Sequence, residues 1–253
     1  MSEFLSALRS GFGFLTTIPV GITMEGIEKL MKHIYLFPVV GAVMGLLIGG
    51  TGYAASIIFP PILISVTVII SIYFLTGFNH IDGLADFGDG IAAHGTKEKK
   101  IAAMRDTAVG TGGMIFCVIA ILGIFSSSLS IAEIDTLSLP FALIVAEISA
   151  KQTMVTVAAF GTKLHQGFGA ITVDNANTSD FVTGMVFSGA VCFLVLGIYG
   201  IMALIISQLA GILVLNTANR NFGGVSGDVV GASNEVGRLA ALLFIGGVSW
   251  MLL

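Results

Sequence analysis

Apolar residues fill this chain in long blocks, and its polar residues gather into a few short stretches between them. From Ile34 to Phe78 no residue carries a charge, and Pro60-Pro61 divides the run in two. A helix needs about 20 apolar residues to cross the hydrocarbon core of a bilayer. The pattern therefore predicts spans near 36–58 and 62–79, then near 108–130 and 137–160. The uncharged run from Phe181 to Asn219 is too long for one crossing and reads as two, near 182–199 and 201–218. A last span covers 236–253. The expected fold is all-α, a polytopic integral membrane helical bundle of about seven transmembrane helices, forming one membrane-embedded domain over residues 1–253. The first stretch, MSEFLSALRSGFGFLTTIPV, has Glu3, a mid-stretch Arg9 and no A-x-A-like cleavage site. It predicts an amphipathic or re-entrant helix at the lipid surface instead of a signal peptide.

Composition agrees with the pattern. Of 253 residues 55% are hydrophobic and only 10% charged, against about 25% charged in soluble domains; the mean hydropathy is +1.00. The 33 glycines suit helices that pack closely in lipid. A net charge of −4 leaves no basic surface for nucleic acid. Cys117 and Cys192 both lie in apolar runs and read as small packing residues.

Charge then orients the bundle. With the N-terminus inside, the inner segments are 1–35, 80–107, 161–181 and 219–238, and they hold ten of the eleven Lys and Arg. The eleventh, Lys151, falls on the inner half of the fourth span, four residues after Glu147, with which it can pair. The outer connection 131–136 has Glu133 and Asp135 and no cation. Positive residues mark cytoplasmic loops, so the expected protein lies in the cell membrane, its N-terminus and polar loops cytoplasmic and its C-terminus outside.

In this apolar chain the stretch NHIDGLADFGDG, residues 79–90, concentrates three carboxylates. Asp82, Asp86 and Asp89 are spaced by four and three, which places them on one helical face at the inner end of the second span. They would repel one another unless a cation sat between them. Lys97, Lys99, Lys100 and the pair Arg105-Asp106 follow in the same segment, and Gly83, Gly88 and Gly90 allow close backbone approach. Such a set suits phosphoryl transfer: Mg2+ takes one or two carboxylates plus substrate phosphates, and nearby Lys or Arg steadies the remaining charge. Asp82 and Asp86 can share an ion, Asp89 can hold a second or act as base, and Asp106 can face the same site from the next helix. Lys100 and Arg105 are the candidate phosphate-binding cations. The plainer reading is a solvated loop of mixed charge, which the one-face spacing and interleaved glycines disfavour.

A second polar cluster, NTANRNFGGVSGDVVGASNE, occupies 216–235 in the last inner loop. Asp228 and Glu235, seven apart, share a face if the stretch is helical, and Gly224 and Gly227 suit a backbone that wraps phosphate. His80, two residues before Asp82, can bind substrate or assist proton transfer. His33, His94 and His165 have no zinc spacing. The stretch HQGFGAIT, 165–172, is expected to flank the site through Gly167 and Gly169.

HIDGLADFGDG, MRDTAVGTGG at 104–113 and GGVSGDVVGA at 223–232 together resemble cobalamin synthase, the family also called adenosylcobinamide-GDP ribazoletransferase. FLTTIPV at 14–20 and YLFPVVGAVMG at 35–45 are similar to that family's N-terminal region, so the resemblance extends from about 14 to 235. It implies an Mg2+-dependent membrane enzyme joining adenosylcobinamide-GDP to α-ribazole or its 5′-phosphate with release of GMP. It also implies that Asp82, Asp86, Asp89 and Asp106 fall on the family's acidic positions, and Asp228 on that of the later motif. The middle region departs from the pattern, with Lys151 and KLHQGFG in place of an Arg near the fourth span and a proline-rich loop. Two alternatives remain. A CDP-alcohol phosphotransferase would share Asp86 and Asp89-Gly90, but His94 follows Ala93 where that pattern has Arg. A cation transporter would use Glu147 and Lys151 inside the membrane.

Overall fold

The computed structural model describes residues 3–164 and 168–251; of the stretch HQGFGAIT, positions 165–167, His165 and Gly167 among them, lie outside the described residues. Two helices, α1 (Glu3–Leu15) and α2 (Met24–Met31), precede the first crossing, and Thr23 caps α2 by accepting the Gly26 N–H at 3.1 Å. A 3-10 turn at Ile34–Leu36 leads into α3 (Phe37–Ser56), with Pro38 in its first turn where no N–H partner is needed. Then follow α4 (Pro61–Thr76), α5 (Asn79–Ala92), α6 (Lys97–Met104) and α7 (Thr111–Ile134). The chain ends with α8 (Ser138–Phe160), α9 (Phe168–Asn175), α10 (Thr178–Asn221) and α11 (Gly227–Met251).

Helix α10 is 44 residues long, about 66 Å if straight, roughly twice the depth of the hydrocarbon core. It does not run straight: Leu196 leaves helical geometry, and Gly197 takes φ +57°, a conformation glycine adopts without a Cβ clash. A Cβ added at Gly184 would strike Gln152, and one at Gly211 would strike Thr153. Both arms therefore pass the same level of α8, folded back as a hairpin. Among the described residues five helical stretches are long and apolar enough to cross a membrane: Ile34–Ser56, α7, α8, α10 and α11. Helix α4 is a short sixth, after which Gly77 (φ +68°) turns the chain by 95° into α5. Counting the arms of α10 separately brings the tally near the expected number of about seven crossings.

The polar segments differ from expectation in form. Residues 80–107 were expected as a loop; they form α5, which turns away from the span and leaves it, and α6. Asp106, expected to open the third span, sits before it in the connection 105–110. The stretch 216–235, expected as a loop, is mostly helix: α10 runs to Asn221 and α11 begins at Gly227, not near 236. Counting apolar residues finds only the part of a helix that lies in lipid. A polar face packed on protein satisfies its backbone internally and continues the helix.

Helix α8 is the axis of the bundle, with 89% of its apolar window buried against 22% for α10. Its glycine-lined neighbour is α3: a Cβ at Gly41 would lie 2.6 Å from the Glu147 carbonyl oxygen, and one at Gly45 2.5 Å from the Ile144 Cα. Gly49 meets Pro140 in the same way. This is the small-residue stripe that lets two helices approach without a hydrophobic driving force. Polarity is inverted relative to a soluble core. Leu46, Phe74, Leu194 and Leu213 face outward, whereas Glu147, Lys151, Gln152 and Thr156 are buried.

Four of the buried charges, Glu147, Lys151, Glu235 and Arg238, form a connected set. Arg238 on α11 donates to both Glu147 oxygens (Nε to Oε1, 2.5 Å; Nη2 to Oε2, 3.2 Å) and to Glu235 Oε1 (2.5 Å). Lys151 Nζ lies 3.5 Å from Glu147 and donates to Asn234 Oδ1 at 2.7 Å, and Tyr73 on α4 donates to Glu235. Two carboxylates face two cations, with no exposure of either sign. Arg238, expected among the inner-loop cations, is thus an internal tie between α8 and α11.

Candidate active site

Helix α5 carries the acidic motif and is clamped from two sides at glycines. A Cβ at Gly83 would come within 2.8 Å of the Asp228 carbonyl oxygen on α11, and one at Gly88 within 3.0 Å of the Gly112 carbonyl oxygen on α7. Only glycine permits this approach. It sets Asp82 and Asp86, one helical turn apart, against Asp228 in the first turn of α11. Ser226 Oγ lies 3.2 Å from Asp228 Oδ2. The α6–α7 connection closes the other side, where Asp106 accepts the Ala108 N–H at 3.0 Å and holds the turn.

These residues enclose a cavity of about 430 Å³ whose polar lining is Asp82, Asp86, Arg105, Asp106, Thr107 and Asp228. Met104 and Val109 complete it. Four carboxylates thus face one guanidinium. The excess negative charge registers on Asp86: partial burial, with Asp228, Asp82 and Asp89 adding repulsion, pushes its carboxyl up to about 7.

Asp89 takes a different place from its two neighbours. Its oxygens accept the N–H groups of Gly110 (2.7 Å) and Gly113 (2.8 Å) at the start of α7, where helix-end donors lack partners and negative charge is favoured. Among the described residues no three Asp, Glu, His or Cys side chains converge in an arrangement ready to hold a metal ion. The donor set nevertheless fits Mg2+, because that ion takes one or two carboxylates and completes its shell with water and substrate phosphate.

The remaining candidates separate. Arg105 lines the cavity, but Lys100 does not; its Nζ donates to Asn221 Oδ1 at 2.6 Å and ties α6 to the end of α10. Gly224 makes a structural contact, since a Cβ there would lie 2.6 Å from the Thr162 carbonyl oxygen beside the backbone pairing of Lys163 with Val225. Gly227 and His80 line a second cavity that shares Asp82 and Asp228 with the first. His80 is buried and its Nδ1 has no hydrogen-bond partner. Burial first, then Lys151 and Arg238, hold its imidazole well below the usual histidine range, so it is neutral. Glu235, expected to bind substrate, belongs instead to the buried charge set with Arg238, Tyr73 and Asn234. One helical face carries both Asp228 and Glu235, but seven residues of rise take Glu235 about 10 Å away from the mouth of the site. Thr107 was missed for lack of any spacing signal. The pairing of Arg238 with Glu235 was visible as an i, i+3 spacing inside an apolar run.

The chain matches the family described as cobalamin-5-phosphate synthase over residues 7–246. It is 42% identical to the adenosylcobinamide-GDP ribazoletransferase of Methanosarcina barkeri, with all of both chains covered. The protein of the same name from Methanosarcina mazei is 41% identical, again over all of both chains. That of Pyrococcus abyssi is 32% identical, over 94% of this chain and 97% of its own. No solved structure matches.

Proposed function

The chain belongs to the cobalamin-5-phosphate synthase family, and from that membership we propose that it joins adenosylcobinamide-GDP to α-ribazole or α-ribazole 5′-phosphate. The products are adenosylcobalamin or its 5′-phosphate, and GMP. One observation carries the site assignment. Asp82 and Asp86 on α5, Asp106 before α7 and Asp228 on α11 come from three separated segments and line a single cavity with Arg105.

Mg2+ would draw its one or two carboxylate ligands from Asp82, Asp86 and Asp106, and when bound it would supply neutralising charge for a diphosphate and its leaving group. Arg105 supports the negative charge of the departing GMP. The ribose 3′-oxygen of the acceptor forms a bond to the phosphorus nearer the corrinoid. The bridging P–O bond breaks, and its electron pair leaves on GMP. The hydroxyl proton passes to a carboxylate within hydrogen-bond reach. Asp228 suits that role better than Asp89, whose oxygens already accept two backbone N–H groups. Lys97, Lys99, Arg105 and Arg220 stand at the same end of the bundle as the acidic cavity, which we take as the cytoplasmic side of the cell membrane. The cation-transport alternative loses its footing, because Glu147 and Lys151 are consumed in the closed set with Arg238 and Glu235.

The test is GMP release by the detergent-solubilised protein given adenosylcobinamide-GDP, α-ribazole and Mg2+, with and without EDTA. Metal-dependent GMP matched by new cobalamin is expected. The Asp82→Asn protein should insert and fold but lose at least about a hundredfold in turnover, the size usual for a lost electrostatic or proton-transfer group. Near-normal turnover by that variant overturns the role given to Asp82.

A further inference from the structure

Asp82 and Asp228 together border two polar cavities. The first, described above, is walled by the α6–α7 connection and holds Arg105. The second, about 420 Å³, shares only these two carboxylates with the first and is otherwise built from other parts of the chain: Phe14 of α1, Ile22, Met154 of α8 and Thr172 of α9, with Asn79 and His80 of α5. The two chambers differ in chemistry. Among the described residues the only cation lining either is Arg105, in the first. The second pairs apolar surface (Phe14, Ile22, Met154) with uncharged polar groups (Asn79, His80, Thr172) and contains a buried, unpartnered imidazole nitrogen on His80. A buried polar atom without a partner is costly, which sets His80 apart from the other residues of this lining.

We infer that the two substrates enter from opposite sides of the Asp82/Asp228 pair: the nucleotide diphosphate in the Arg105 chamber, and the nucleoside acceptor in the chamber of Phe14, His80, Asn79 and Thr172. This rests on the transferase reading given above. Displacement at phosphorus requires the attacking and leaving oxygens to lie roughly in line on opposite faces, and two chambers divided by shared carboxylates supply that arrangement. A flat heteroaromatic base with an attached ribose is the ligand class that uses both an apolar wall and several uncharged hydrogen-bonding groups. The attacking hydroxyl then lies toward the carboxylates, and Asp228 can reach it from the dividing wall. Gly227 and Gly231 of α11 line the acceptor side without a side chain. A Cβ at Gly231 would make only ordinary contacts, 3.4 Å from the His80 Cα and 3.5 Å from the Asn79 carbonyl oxygen, so a larger side chain there extends into the chamber without displacing backbone.

The experiment is a pair of steady-state titrations on the detergent-solubilised full chain, varying α-ribazole at saturating adenosylcobinamide-GDP and the reverse. Gly231→Val and the exposed-site variant Asn79→Ala narrow or strip the second chamber; Thr107→Phe fills the first. Expected are rises of at least about tenfold in the α-ribazole KM for Gly231→Val and about threefold for Asn79→Ala, each with the adenosylcobinamide-GDP KM within twofold of wild type. Thr107→Phe should show the reverse split. The inference is overturned if Gly231→Val and Asn79→Ala raise the adenosylcobinamide-GDP KM instead, or if both KM values move together in all three variants. Failure of the underlying reading is separate: wild-type protein would then release no GMP from these substrates at all.

Discussion

Arg238 offers the sharpest test of how the bundle holds its site. Its guanidinium makes two bonds to Glu147 and one to Glu235, and all three side chains are fully buried. In Arg238→Gln the count becomes two buried carboxylates against Lys151 alone, with Lys151 held 3.5 Å from Glu147 and bonded to Asn234. Removing one partner of a buried ion pair costs about 3–5 kcal/mol, because the charge left behind has no compensation. At about 2–4 °C per kcal/mol for a chain of this size, the unfolding midpoint should fall by roughly 6–20 °C. Thermal unfolding of the solubilised protein, followed by size-exclusion or intrinsic fluorescence, reads that shift. The decisive comparison is the double variant Glu147→Gln/Arg238→Gln, in which Glu235 and Lys151 again balance. Its loss should be smaller than the sum of the single losses by at least about 1 kcal/mol. A midpoint for Arg238→Gln within about 2 °C of wild type, or strict additivity in the double, refutes the argument that charge balance is what the set contributes.

Two further outcomes follow from the site. Asp89→Ala removes both acceptors of the Gly110 and Gly113 N–H groups and should cost about 2 kcal/mol, or roughly 4–8 °C in midpoint; Asp89→Asn, which keeps one acceptor oxygen, should lose about half of that. The folded Asp86 carboxyl, raised to about 7, keeps a proton that the unfolded chain releases near the ordinary aspartate value of 3.8. Stability in EDTA should therefore fall as pH rises through that window and level off above it. Asp86→Asn should lack that component of the slope, and identical midpoint-versus-pH curves for the two proteins from pH 5 to 8 would count against the raised value.

The sequence by itself determined the class of the protein and most of its chemistry. Uncharged runs longer than a bilayer's depth have one stable solution, the membrane-spanning helix, so Ile34–Phe78 and Phe181–Asn219 disclosed their crossings directly. Spacing along one helix is local, so the shared face of Asp82 and Asp86 was legible before any folding was known. Tertiary structure decided what depends on contacts between distant segments. It separated Asp89, which caps α7, from its neighbours around the cavity, although all three share a face. It drew Glu235 and Arg238 out of an apparent loop into the buried set with Glu147, because lipid leaves an unpaired charge no other place to go. It also placed Asp82 and Asp228 together in the lining of two chambers. Their separation along the chain carries no trace of that meeting. The close passage of α5 past α11 at Gly83 creates it.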